Sequence, residues 1–489
     1  MNRVFKSMKL LVLIFLFSAA FGMNGCALSE KRDSERTAPT PECSGSELFG
    51  SQCGEVRCTE RNYRGESMMV RGKECTVFSK LTIDSIDHID PDHFRNIKLI
   101  THLEITNSPG IENLDAFENM KWIQHIIVKN NENLQSLSKM ADWEIIKPED
   151  DDSMVTISQN PKLVNLDGLQ PFKKLSFLTI ESNDLIEEIG FLNNATEFRT
   201  TWITDNMNLR KFEAPANAER MSTLYISGNQ SLSKIGDLGH LVIDDFIAID
   251  SNPSLLAISS LPADENLSIN IGDNDKLTQI KVSVEKIAGL TIERNKNLAE
   301  IYLSDSLTET GYLSISRNES LRSIGGLKQL VRIDYLNIAS NPKLSLIEGL
   351  KQLEYIGSTS ESGGLSLSYN DEILSYDFPS LQNIRGTVYV SSNEKLENLR
   401  FLSKLSNATD LTISRNESLR SLEGLTNLES VSGDLTISNN RNLSDINHLK
   451  NLKTINGTTS IEYNSIDIEG CPFDAASPSI LNFCNELSQ

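Results

Sequence analysis

Positive charge is scarce in this chain of 489 residues. Lys and Arg number 46 against 67 Asp and Glu, a net charge of −21. Such a surface repels phosphate, which excludes nucleic acid as a partner and a polybasic attraction to anionic lipid. Histidine is nearly as scarce, with six residues, and no G-x-S-x-G, H-E-x-x-H, Walker or dinucleotide-binding pattern is present. The chain therefore reads as non-catalytic, with no cofactor and no metal. Long apolar runs are missing after residue 23, so no later segment can span a membrane. Disorder is excluded as well, because 39% of the residues are hydrophobic, enough for a large core.

The one apolar run that exists is N-terminal. Arg3, Lys6 and Lys9 precede a stretch from Leu10 to Met23 broken only by Ser18. It is shorter than the roughly 20 residues a spanning helix needs and fits the h-region of a secretory signal. It ends in Met23-Asn24-Gly25-Cys26. This end resembles the lipobox of bacterial lipoproteins, with Met23 where that family usually has Leu. The resemblance implies lipid attachment at Cys26 and a membrane partner reached through that anchor. Ala27, in place of Asp, implies sorting to the outer membrane or cell surface. Residues 1–25 are then a signal peptide. Residues 26–42, polar and without apolar pattern, are a flexible tether.

Cysteine is also sparse. Removing Cys26 from the seven leaves Cys43, Cys53, Cys58, Cys75, Cys471 and Cys484, an even number suited to disulfides in an oxidising compartment. The spacings of the first four do not match paired C-x-x-C zinc ligands.

The body of the chain is a repeat. LTISRNESLRSLEGL starts at Leu411, LTISNNRNLSDINHL at Leu435 and LSISRNESLRSIGGL at Leu313. The shared pattern is L-x-I-x-x-N-x-x-L. Its asparagine falls at Asn131, Asn160, Asn183, Asn206, Asn229, Asn252, Asn274, Asn295, Asn318, Asn341, Asn370, Asn393, Asn416, Asn440 and Asn464. Most steps are 21–24 residues and two are 29. Two degenerate repeats near Leu81 and Leu103 bring the count to seventeen. L-x-I is a short strand with two residues inward and one outward. A single repeat cannot bury its apolar side, whereas stacked repeats make parallel sheets over a continuous aliphatic core, about 80 Å long at ~4.8 Å per turn. Each sharp bend leaves backbone groups unpaired inside, and an Asn side chain supplies both a donor and an acceptor. The asparagines are therefore expected to form a buried structural ladder.

The repeat resembles the receptor L-domain, the leucine-rich right-handed β-solenoid of insulin- and epidermal-growth-factor-receptor ectodomains. Ordinary leucine-rich repeats place Leu two residues after Asn; here it comes three after. The resemblance covers residues 76–464 and implies a β-rich solenoid of short parallel strands. Long versions look common in bacterial surface lipoproteins. The chain has no cysteine-rich module, transmembrane helix or kinase, so growth-factor-receptor activity does not carry over. Solenoid ends need covers. Residues 43–75 are expected to be a disulfide-stapled N-cap and 465–489 a C-cap closed by Cys471 and Cys484.

Four features bear on function. The outward strand position usually holds Thr, Ser, Ala or Asn, but neighbouring repeats place Trp202 and Tyr225 there, with Asp205 and Asp250 close by; Tyr389 repeats the feature alone. Exposed aromatics beside polar groups mark protein or carbohydrate contact surfaces. The 29-residue steps add about six residues each, around Glu144–Ser153, with an acidic run at Glu149–Asp152, and around Glu354–Gly364; they are expected to project as loops from one edge. Asp87–His93 holds several metal-capable side chains but reads as a solvated loop. Eight N-x-S/T sequons, at Asn194, Asn229, Asn266, Asn318, Asn407, Asn416, Asn442 and Asn456, follow from a composition rich in Asn and Ser. The reading is an exported, lipid-anchored envelope protein that binds a protein or a glycan. The alternatives are a structural envelope component and a eukaryotic secreted or receptor-type glycoprotein.

Overall fold

The computed structural model describes residues 57–63, 69–70, 73–74 and 76–466, without 147–152, 191–193 and 358–362. Cys26, Cys43, Cys53, Cys75, Cys471 and Cys484 lie outside these residues, as do the signal peptide, the tether, the run Glu149–Asp152 and all but the first two residues of the C-cap. Cys58 falls within a described strand.

Each L-x-I segment is a strand, and successive strands pair in parallel and in register. Leu178, Thr179 and Ile180 of strand Lys174–Glu181 stand opposite Thr201, Trp202 and Ile203 of strand Glu197–Thr204. Those in turn face Leu224, Tyr225 and Ile226 of strand Arg220–Ser227. From Val77–Asp84 to Thr459–Glu462 the seventeen expected levels are present, joined by about sixteen turns. One further strand, Arg57–Tyr63, pairs in parallel with Val77–Asp84, so the segment read as the N-cap adds a level to the sheet. The described residues outside the strands form only bends, turns and short 3-10 turns, with no α-helix among them.

The alternation L-x-I puts two aliphatic side chains per level inside. Leu178, Ile180, Leu224 and Ile226 are wholly buried, and one apolar cluster runs from Phe78 to Ile455. Each buried Leu or Ile stabilises the fold by about 1.5–3 kcal/mol. The core is not purely aliphatic. Phe94, Phe117 and Trp143 meet edge to face, with centroids 4.9 and 6.1 Å apart, and Tyr376, Phe378 and Phe401 form a second aromatic knot.

Thr201 interrupts the aliphatic column between Leu178 and Leu224. It is fully buried and its hydroxyl has no partner among the described residues. An unsatisfied buried hydroxyl costs about 1–3 kcal/mol. Thr201→Val, which keeps the shape and removes the orphan, is expected to raise stability by about 1–2 kcal/mol in urea unfolding.

The asparagines close the bends as expected. Asn131 to Asn440 are fully buried. Asn252 is representative. Its Oδ1 accepts the backbone N–H of Asn229 at 3.1 Å. Its Nδ2 donates to the carbonyls of Ile226 and Asp250, both at 2.9 Å. Each asparagine thus ties its own bend to the preceding one. The residue before every ladder asparagine is left-handed: Ser251 has φ +56°, Arg317 +57° and Tyr369 +54°. Only Gly228 in this column is a glycine. Left-handed backbone costs other residues about 1–2 kcal/mol, and the buried asparagine network is what holds them there.

The inserted residues 147–152 and 358–362 lie outside the described residues, but the pairing of their flanks is defined. Strand Glu144–Ile145 pairs with Trp122 and Ile123, and strand Met154–Ser158 resumes opposite Ile126–Lys129. The second insertion likewise parts Tyr355–Ile356 from Gly364–Ser368. Both flanking halves keep the register of the neighbouring level, so the extra residues depart mid-strand.

In the last levels the strand is kinked, and a short second ladder stitches the kink. Asp410 accepts the N–H of Asp434 at 2.9 Å, and Asp434 accepts both the N–H (2.7 Å) and the hydroxyl (2.8 Å) of Thr458. The hydrogen bonds to the Thr458 N–H and hydroxyl hold the Asp434 carboxyl below its usual range. A depressed carboxylate contributes stability above its unfolded pKa of about 3.9 and loses it as pH falls through the lower folded value. Amides of residues 430–460 are therefore expected to lose hydrogen-exchange protection between pH 4 and pH 3 sooner than those of residues 155–190, and Asp434→Asn should abolish the difference.

Candidate binding face of the solenoid

The strands' outward residues form columns on the solvent side of the main sheet. One column reads Thr179, Trp202, Tyr225, Ala248, Asn270; the neighbouring one reads Phe177, Thr200, Thr223, Phe246, Ser268. The structure therefore brings Trp202 and Tyr225 together, as their spacing implies. Their ring centroids are 4.7 Å apart, tilted by 39°. Phe246 joins them, its ring 5.6 Å from Tyr225. A bulge delivers it: strand Val242–Asp250 carries one extra residue relative to Met221–Thr223, which sets Phe246 opposite Thr223. Phe177, one level before Trp202, is 52% exposed. Sequence reasoning missed Phe177 and Phe246. Period two was the available signal, since each lies two residues before an outward position already counted.

Carboxylates border the rings. Asp245 accepts the Thr223 hydroxyl at 3.0 Å, and Asp250 the Ser227 hydroxyl at 2.8 Å. Burial, above all, pushes the Asp250 carboxyl up. The Tyr225 phenol is pushed up by burial first, then by Asp245 and Asp250. Asp205 occupies the left-handed position at the end of the Trp202 level.

Tyr389 stands in the same outward column as Trp202, between Ser366 and Thr412. It is seven levels beyond Tyr225, roughly 34 Å at the spacing of paired strands, and does not share its site. Between them Tyr335 is 37% exposed, and Tyr312 lies across Gly289, where a Cβ would come within 2.0 Å of the ring. Elsewhere, Arg294, Arg317, Glu319 and Tyr369 line an open depression of about 600 Å³ at the bend after the strands.

The other candidates resolve into structure. In the Asp87–His93 loop, Asp90 caps the turn Pro91–His93 through the N–H of Asp92 at 3.0 Å and lies 3.6 Å from His93 Nε2. No group of three or more metal-capable side chains occurs among the described residues. Three of the sequon asparagines, Asn229, Asn318 and Asn416, are wholly buried ladder residues.

Residues 74–176 and 403–472 match the family model described as the Receptor L domain. These two segments resemble receptor L-domains. Between the two matched segments the asparagine ladder continues without a break, from Asn183 to Asn393. No curated protein matches the chain. Among solved structures, the leucine-rich repeat protein LIC12759 of Leptospira interrogans is similar at 15% identity, over 81% of this chain and 95% of that one, with a TM-score of 0.31. A leucine-rich repeat protein of Bacteroides eggerthii is similar at 14% identity, over 71% and 64%, with a TM-score of 0.30. An internalin of Listeria monocytogenes is similar at 15% identity, over 73% and 87%, with a TM-score of 0.25. At these scores the structural likenesses carry no argument, and the solenoid rests on the repeat geometry itself.

Proposed function

We propose that this chain is an exported envelope protein, lipid-anchored at Cys26, whose L-domain solenoid binds a protein partner through the sheet face around Trp202, Tyr225 and Phe246. The reading is non-catalytic. The observation that carries it is the continuous run of rings on an otherwise Thr- and Ser-lined face. Buried aromatic anchors dominate interface energetics, and a soluble surface seldom exposes several together without use. The receptor L-domain match supports a protein-binding scaffold. The lipobox-like Met23–Cys26 and the odd cysteine support the anchor. A glycan ligand is the second possibility that exposed rings allow.

Photo-crosslinking from the native surface tests the face. A benzoyl-phenylalanine introduced at Thr200, beside the rings, should trap a discrete protein, while one at Glu417, on the bend beyond the strands, should trap none. A discrete adduct from Glu417 and none from Thr200 would contradict the assignment.

A further inference from the structure

The carboxylates around the aromatic run have no direct ion-pair partner, and Arg294, which acts on Asp250 from a distance, is itself paired with Asp273. Asp205, Asp245 and Asp250 form no ion pair with Lys or Arg among the described residues. Acids close by are paired: Asp244 with Arg220, Asp273 with Arg294 and Glu197 with Lys174. The partners of Asp245 and Asp250 are hydroxyls. Both carboxylates stand close enough to act on the Tyr225 phenol, so the negative charge beside this ring is direct. Ring faces themselves attract cations, most strongly Trp and Tyr. A partner that covered this face with apolar or acidic groups would strand desolvated negative charge, the costly outcome for an interface.

We infer that this face receives a lysine- or arginine-rich stretch of a protein partner, its cationic groups lying over Trp202 and Tyr225 and against Asp245 and Asp250. The inference rests on the face being the binding surface. The net charge of −21 adds long-range attraction for such a segment. It also disfavours a second copy of the chain, which would set these carboxylates against one another. A neutral sugar could cover the rings but would leave the carboxylates unanswered.

The test is binding of a fluorescent alternating arginine–glycine dodecapeptide to the full chain at physiological salt, followed by anisotropy. A glutamate–glycine peptide and a neutral oligosaccharide serve as comparison probes. The arginine peptide should bind and the other two should not. Trp202→Ala and Asp245→Asn should each weaken binding about tenfold. Trp202→Phe, which keeps a ring, should largely restore it. Glu394→Gln with Glu417→Gln removes more charge, but away from the face, and should change affinity by less than about twofold. Equal loss in that double variant would overturn the inference in favour of diffuse attraction. Binding of the oligosaccharide alone would overturn it in favour of a glycan. Crosslinks from Thr200 that the arginine peptide fails to displace would overturn the cationic assignment while leaving the face itself standing. Absence of both crosslink and peptide binding removes both readings.

Discussion

Asn252→Ala is expected to cost about 2–6 kcal/mol in urea unfolding. Two backbone groups lose the bond Asn252 makes to them, the N–H of Asn229 and the carbonyl of Ile226, while the carbonyl of Asp250 keeps the N–H of Gly228 at 3.3 Å. Both bonds are buried, and each one left unmade there costs about 1–3 kcal/mol. The total is a large part of the roughly 5–15 kcal/mol that holds an ordinary domain. The left-handed Ser251 would lose its restraint as well. Contacts in a solenoid run only to adjacent levels, so the damage should centre on levels 220–275 and appear first in their amide exchange. Asn266→Ala is the control. Asn266 is exposed, and its bonds run only to Asp264. It should change stability by less than about 0.5 kcal/mol.

Cys26→Ser is expected to move the protein from the membrane fraction to the soluble one. Each buried CH₂ contributes about 0.8 kcal/mol, so one acyl chain holds a protein marginally while two or more hold it stably. Intact mass provides the check. Wild type should fit a chain that begins at Cys26 and carries acyl groups, and the variant should carry none. A heavier, heterogeneous mass that collapses on glycosidase treatment would instead make the exposed sequons glycosylation sites and the chain a eukaryotic ectodomain.

The ladder was legible in the sequence because each asparagine does a job no other side chain does at that bend, so its spacing survives along the chain. The left-handed residue beside it was not legible. Arg317, Tyr369 and Ser251 carry no glycine signature, since the neighbouring asparagine rather than local preference sets their backbone. The stitch through Asp410, Asp434 and Thr458 was hidden for a different reason. It spans three levels only and never becomes a period. In the candidate site Trp202 and Tyr225 were readable from the outward column. Phe177 and Phe246 follow the same period, two residues before Thr179 and Ala248, but lie outside the L-x-I segment on which the column was read. The insertions were legible as two 29-residue steps, but not the point in the strand at which they depart. That they depart mid-strand depends on the pairing of both flanking halves with the preceding level.

The claim that most needs testing is that the aromatic face, rather than the solenoid as a mere rod, carries the function. The measurement is the affinity of the captured surface partner for wild type and for a Trp202→Ala/Tyr225→Ala double variant, with melting followed in parallel. Both rings are only half-buried, so stability should fall by no more than about 1–2 kcal/mol, while the affinity drops at least about thirtyfold, the scale of a hot-spot pair. Unchanged affinity in a folded double variant would contradict the account and leave the solenoid a structural element of the envelope.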